Sequence, residues 1–300
     1  MDEQRLMKVA ALAAQAGDID ALYALFQNNP NVLQSIDRIR FVDTPLHSAA
    51  SIGHTHFAVE MISLMPSFGK KLNPDGLSPL HLALQNGRTE TVIRLININS
   101  ELIRVQGKGG ITPLHYVAEK NEVRLLAEFL CACPESVQDL TIRGETAVHI
   151  AVRNCNFEAF EVLFNWIDKT SNELVLQWKD EDGNTVLHIA AYTNQPQVVK
   201  QLLKAVEVKG DKNMLGLTAF DLISSDELNS EIKNMLASRS FAWFWKPNSI
   251  SDKYLADFIR NRRVSNIFNM RKMSNNMQLV IATLVATATY QVAPLQTRLE

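Results

Sequence analysis

One short phrase returns through most of this 300-residue chain. It reads Thr44-Pro45-Leu46-His47, then Ser78-Pro79-Leu80-His81, then Thr112-Pro113-Leu114-His115. Looser copies follow at Thr146-Ala147-Val148-His149, Thr185-Val186-Leu187-His188 and Thr218-Ala219-Phe220-Asp221. The starting positions 44, 78, 112, 146, 185 and 218 lie 34, 34, 34, 39 and 33 residues apart. A fixed period of this size means stacked units, each burying its apolar face only against its neighbours. The chain is therefore expected to grow by stacking rather than by wrapping one central core.

Each residue type in the phrase has a mechanical reason. Proline in the first helical turn has a φ suited to a helix, and the N–H it lacks would be unpaired there anyway. Threonine or serine just before it is placed to cap that helix. The histidine can bond back to the hydroxyl and to neighbouring backbone, tying one unit to the next. Alanines after the phrase (Ala49, Ala50, Ala83, Ala118, Ala151, Ala190 and Ala191) let helices approach closely. Two residues before the Thr or Ser stands Gly76, Gly110, Gly144, Gly183 or Gly216, as a tight turn at positive φ requires. The first copy has Val42 there, so its turn is expected to be distorted.

The phrase and its period resemble the ankyrin repeat, which implies an all-α solenoid of helix-turn-helix units. About six to seven units are expected over 1–236, the first and last degenerate. Lys8-Val9-Ala10-Ala11 replaces the phrase in the first unit, as in a terminal unit that caps the stack. In the seventh, Asp221 replaces the histidine. The 39-residue step implies about five extra residues near 168–176, expected in a loop between units.

Composition narrows the function. The formal charge of −2 is the balance of an acidic body, with 21 Lys/Arg against 29 Asp/Glu over 1–236, and a basic stretch, with 8 against 2 over 237–272. An acidic body argues against nucleic acid as a partner. Three cysteines, Cys131, Cys133 and Cys155, form no disulfide framework and fit a reducing compartment. The amino terminus has no secretory signal pattern. His47, His81, His115, His149 and His188 come once per unit, so they form a row rather than converge on a metal. Neither a phosphate-binding loop nor a nucleophile elbow occurs, so no enzyme, cofactor or small-molecule substrate is expected.

After Leu236 the pattern stops. Phe241-Ala242-Trp243-Phe244-Trp245 is an aromatic cluster, read either as interfacial anchors or as packing over the last unit. Residues 251–272 carry Leu255, Phe258, Ile259, Ile267 and Phe268 among Arg260, Arg262, Arg263, Arg271 and Lys272. This stretch has three readings: a solvated basic helix, a segment drawn to anionic lipid, or a calmodulin-type target. Residues 277–293 then form an uncharged run of 17 that includes Leu279, Val280, Ile281, Leu284 and Val285. At about 1.5 Å per residue it measures roughly 25 Å, short of a bilayer core of about 30 Å.

Residues 275–291, from Asn275-Asn276-Met277-Gln278 to Ala288-Thr289-Tyr290-Gln291, resemble the opening of the PGG domain of plant ankyrin-repeat membrane proteins. The Pro-Pro-Gly-Gly of that domain is absent, with Ala293-Pro294-Leu295 in its place, so 273–300 read as a truncated start of it. The resemblance implies an interaction scaffold in plant defence or stress signalling. Its repeats would face the cytosol, tethered by an apolar C-terminal helix to a membrane, foremost the plasma membrane. The competing reading is a soluble regulator in the cytoplasm that contends for the partners of full-length relatives. In either, a protein partner is expected on the concave face, with Asp75, Lys108, Arg143 and Asp182 as contacts.

Overall fold

The computed structural model describes residues 3–205 apart from 30 and 171, then 211–223 and Ile232. The array opens with α1 (Glu3–Ala16), α2 (Ile19–Asn28) and α3 (Val32–Arg38). Five helix pairs follow. They are α4 (Pro45–Ile52) with α5 (Thr55–Leu64), α6 (Pro79–Gln85) with α7 (Thr89–Ile98), and α8 (Pro113–Glu119) with α9 (Val123–Ala132). Then come α10 (Ala147–Arg153) with α11 (Phe157–Lys169), and α12 (Val186–Tyr192) with α13 (Pro196–Ala205). Helices of seven to ten residues are too short to be stable alone, so the stacking holds them.

The first helix of each pair packs on the first helix of its neighbours, α1 on α4, α4 on α6, and so on to α12; the second helices form a parallel layer. The core is continuous along these layers. Leu46, Leu80, Leu114, Val148 and Leu187, one from each of the first five phrases, are buried. So are the second-helix stripes, for example Val92, Leu95 and Ile96 in α7 and Val198, Val199 and Leu202 in α13. At roughly 1.5–3 kcal/mol per buried aliphatic side chain, this repeated burial is what offsets ordering the chain.

Each pair turns on a residue in the left-handed region: Gly53, Gly87, Asn121, Cys155 or Asn194. After α5, α7, α9 and α11 the chain makes a short 3-10 turn, such as Pro66–Lys70 or Pro134–Gln138, and runs into a finger-like loop ahead of the next phrase.

Two expectations meet the structure differently, and the expected distortion before Thr44 is present. The longer fifth unit places three of its five extra residues in its second helix and only the rest in the connection after it: α11 has 13 residues where α5, α7, α9 and α13 have 10. Trp166 and Ile167 continue the apolar stripe of Phe160 and Leu163 and are buried, so helix is the cheaper conformation there. The loop before Thr44, which lacks the glycine, makes no positive-φ turn; it runs extended, and Val42 N–H donates to the Leu72 carbonyl at 3.2 Å. Among the described residues no helix is long and apolar enough to cross a membrane. Over the described residues this corrects the fold reading to an all-α ankyrin solenoid with no membrane-crossing helix, and nothing in them supports the transmembrane helix or the plasma-membrane placement. The membrane run with Leu279, Val280, Ile281, Leu284 and Val285, the basic cluster Arg260, Arg262, Arg263, Arg271 and Lys272 with its lipid and calmodulin readings, and the aromatics 241–245 all lie outside the described residues.

Candidate interaction surface

The phrase builds the inner wall of the array. Thr44, Ser78, Thr112 and Thr146 each cap their helix, the hydroxyl accepting the histidine N–H three residues on at 3.4 to 3.5 Å. The histidine answers: its Nδ1 accepts from the Thr or Ser N–H and lies 2.7 to 2.8 Å from the hydroxyl, which donates to it. Thr185 and His188 repeat the pair. The second ring nitrogen reaches across one unit. His47 Nε2–H donates to the Leu77 carbonyl at 3.1 Å, His81 to Ile111 at 3.0 Å, His115 to Glu145 at 3.2 Å, His149 to Trp178 at 3.1 Å and His188 to Asp211 at 3.1 Å. A carbonyl can only accept, so the geometry assigns the Nε2–H tautomer at every copy. The ring is thereby both cap and rivet. Burial is the main force that pulls His47, His81, His115 and His149 down to about 4, and it lowers His188 too.

In the seventh unit the Asp221 carboxylate accepts from the Thr218 N–H at 2.8 Å and its hydroxyl at 2.7 Å, which lower its pKa. It reproduces the cap but carries no second donor, so the row of rivets ends with His188.

Beyond each rivet stands a finger. A residue three before the glycine folds the loop on itself. Asn73, Asp180 and Asn213 each accept two backbone N–H groups, and the Thr141 hydroxyl accepts the Glu145 N–H. Adjacent fingers are laced backbone to backbone: Lys108 N–H to the Gly76 carbonyl at 2.8 Å, Ile142 to Gly109 at 3.0 Å, Glu181 to Arg143 at 2.8 Å and Met214 to Asp182 at 3.0 Å. The lacing explains Gly110, at φ +72°, where a Cβ would sit 2.7 Å from the Ile142 nitrogen.

The structure thus sets Asp75, Lys108, Arg143 and Asp182 on successive finger tips, all exposed. Arg143 pairs with Glu181 at 2.5 Å and approaches Asp182 at 4.0 Å. Such exposed pairs are screened by water, add little to stability and stay available to a partner. Apolar tips interrupt the charged ones: Ile142, Met214 and Leu215 are each more than three-quarters exposed. Sequence reasoning missed one cluster. Arg153, half-buried at the end of α10, pairs with the buried Glu145 and donates to the buried Asp180 at 3.1 Å. Its signal was the register: Asp180 occupies the finger position of Asn73 and Asn213, and Glu145 directly precedes a phrase.

Cys133 is buried, which pushes its thiol up to about 12, while Cys155 is exposed. Among the described residues no group of three or more His, Cys, Asp or Glu side chains could hold a metal ion.

Capped inner helices, riveted units and a row of laced fingers define a repeat protein built to present a surface. The chain belongs to the ankyrin-repeat family. The profile for ankyrin repeats in three copies matches residues 10–106 and 99–173, and that for a single ankyrin repeat matches 182–212. The chain is 40% identical over 298 residues to the ankyrin repeat-containing protein BDA1 of Arabidopsis thaliana, covering 94% of this chain and 70% of that relative. Among solved structures it resembles that of EF0377, an ankyrin repeat protein, with a TM-score of 0.55 and 21% identity over 64% of this chain and 96% of the other, a likeness of fold alone. The family is a non-catalytic scaffold, and the chain is a protein-interaction module, not an enzyme.

Proposed function

We propose that this chain serves plant defence or stress signalling by holding a protein partner on its finger tips and inner helices, in competition with related chains. The single observation that carries the surface is the laced row of fingers with exposed Asp75, Lys108, Arg143 and Asp182 at its tips. Charges fixed to a rigid row select partners by complementary pattern and speed their encounter. The plant setting is supported by the 40% identity to the Arabidopsis relative, and the defence or stress reading by the PGG-like stretch 275–291, which lies outside the described residues. The likeness runs along 94% of the chain, so relatives present a similar surface, and chains that share a surface compete for what it binds.

The test is affinity capture from plant extract with the full chain and with an Asp75→Ala, Lys108→Ala, Arg143→Ala, Asp182→Ala variant of unchanged thermal midpoint. The proteins retained by the wild type should be lost by the variant, and excess Arabidopsis relative should displace them. Retention of the same set by the variant refutes the fingertip surface. Unaltered defence-marker induction in plants lacking the chain refutes the setting.

A further inference from the structure

Side chains tie units together at both ends. At the helix turns, opposite the fingers, a single residue donates to the unit before: His54 to the Gln15 carbonyl at 2.9 Å, Arg88 to Ser51 at 3.2 Å, Asn156 to Ala118 and Glu119 at 3.0 and 2.7 Å, and Gln195 to Val152 at 2.6 Å. At the fingers an asparagine fills two roles. Asn73 Oδ1 accepts the Asp75 and Leu77 N–H groups, and its Nδ2 donates to the Asp43 carboxylate at 3.1 Å. Asn213 Oδ1 accepts the Leu215 and Leu217 N–H groups, and its Nδ2 donates to the Asn184 side-chain carbonyl at 2.9 Å. Asp43 and Asn184 each stand directly before a phrase, one finger earlier. The amide thus folds its own finger and fastens it to the previous one.

The finger of residues 180–184 departs from this rule. Its folding residue is Asp180, whose Oδ1 accepts the Asp182 N–H at 3.1 Å and the Asn184 N–H at 2.8 Å, so the loop keeps its shape. The residue before the earlier phrase is Glu145. Two ionised carboxylates have no proton to share, and these two side chains are only 1% and 7% exposed. Arg153, at the end of α10, comes between them. Its Nη2 donates to Asp180 Oδ2 at 3.1 Å, and its Nη1 pairs with Glu145 Oε1. At the matching place the other units carry Ser51, Gln85, Glu119 and Tyr192, so the arginine appears only where the amide is missing between two acids.

We infer that Arg153 is a positioning residue of the interaction surface: it stands in for the amide donor and so fixes the finger tip that carries Glu181 and Asp182. A planar guanidinium has donors in fixed directions and can serve both carboxylates at once. Without it, two buried negative charges face each other with nothing between them, which costs far more than an exposed pair does. The Asp180 carboxylate is then drawn toward water, and the Asp182 and Asn184 N–H groups lose their acceptor. The effect passes to the next finger, because Asn184 is the group to which Asn213 is fastened. The part Arg153 plays in binding rests on the fingertip surface proposed above; the part it plays in holding the loop does not.

The test measures amide hydrogen exchange in the full chain, with the Asp75 and Leu77 amides of the 73–77 finger as internal reference. Arg153→Met should speed exchange at Asp182 and Asn184 by about tenfold or more and leave the reference unchanged. Asp180→Asn supplies the amide of the other fingers, so that variant alone, and Arg153→Met combined with it, should both stay within about threefold of the wild type. A plain ion pair predicts otherwise, since the loss of either partner breaks it. Should Arg153→Met not fold, recovery of folding in the combined variant supports the inference. Unchanged exchange in Arg153→Met overturns it, as does a combined variant that exchanges as fast as Arg153→Met or fails to fold. In the capture from plant extract, Arg153→Met should lose the proteins that the wild type retains, and the combined variant should keep them. If Arg153→Met keeps what the four-site variant loses, the positioning role is overturned while the fingertip surface stands. If the four-site variant loses nothing, the fingertip surface falls, and the exchange rates still decide whether Arg153 holds the loop.

Discussion

The two ends of each unit are held by different rules. At the finger end one device recurs: Thr or Ser caps the helix, His rivets the next unit, and Gly lets the fingers lace. At the turn end the tie is made by His54, Arg88, Asn156 or Gln195, four residue types with one function, and at Glu122 by none of them. At the finger end the capping bonds are buried and the rivets spring from buried histidine rings, whereas the turn ties are exposed or half-buried. A buried donor or acceptor left without a partner costs its full desolvation, so the finger end cannot vary without penalty. At the turn end water replaces a missing donor, and the sequence is free to drift.

Acid should break the comparison most strongly. His47, His81, His115 and His149 are held at about 4 against an ordinary 6.5, mainly by burial. Below pH 6.5 the unfolded chain takes up protons that the folded rings refuse. Stability is therefore full above that value and drains as pH falls through 4. Each ring forfeits up to about 3 kcal/mol by pH 4, and four of them rival the whole stability of an ordinary domain at roughly 5–15 kcal/mol. Circular dichroism melts should show the midpoint falling steeply between pH 6.5 and 4. A midpoint at pH 4.5 equal to that at pH 7 would contradict the neutral rivets.

Next in size is the loss of one rivet. His149→Ala strips the cap partner of Thr146 and leaves the Trp178 carbonyl without its donor. The expected cost is about 3 kcal/mol, a drop of roughly 6–12 °C in an array of this size. Asp221→Ala removes an exposed cap and no rivet, so it should lower the midpoint by clearly less than His149→Ala. Equal losses in calorimetry would mean that the cap, not the bridge, is the histidine's contribution.

These differences explain what could be read from the chain. The solenoid, its helices and its buried histidines were legible because a buried, reciprocally bonded group tolerates few substitutes, and so the phrase repeats. The extension of α11 was not legible as helix, because Trp166 and Ile167 suit a buried helix and a buried loop equally until their neighbours are placed. The Arg153, Glu145 and Asp180 cluster joins residues from two units and has no local pattern. The turn-end ties were invisible for the reason given above: no single residue type marks them. The membrane placement came from the apolar run 277–293 and its PGG-like resemblance, which lie outside the described residues, and no described helix supports it.

Glycine sharpens the contrast at similar backbone angles. Gly110, on a finger, has φ +72° and a Cβ there would meet the Ile142 backbone at 2.7 Å; Gly87, on a helix turn, has φ +65° with nothing within 4 Å. Gly87→Ala should cost about 1 kcal/mol, the strain of a left-handed alanine. Gly110→Ala carries that strain and must also push two laced fingers apart, so a loss about twice as large or more is expected in denaturant titrations.

The smallest effect is the most discriminating. Asn156→Ala removes donors to two carbonyls in a half-buried site and should cost about 1 kcal/mol, near 3 °C in the thermal midpoint. Glu122→Ala, in the same register one unit earlier, removes a side chain that makes no such tie and should move the midpoint by less than about 1 °C. If both substitutions cost the same, position 122 does more at its junction than its hydrogen bonds reveal, and the turn end is held by packing rather than by the donor. If only Asn156→Ala costs, the ties at this end are separable items added junction by junction, and one junction in the array has been left without its own.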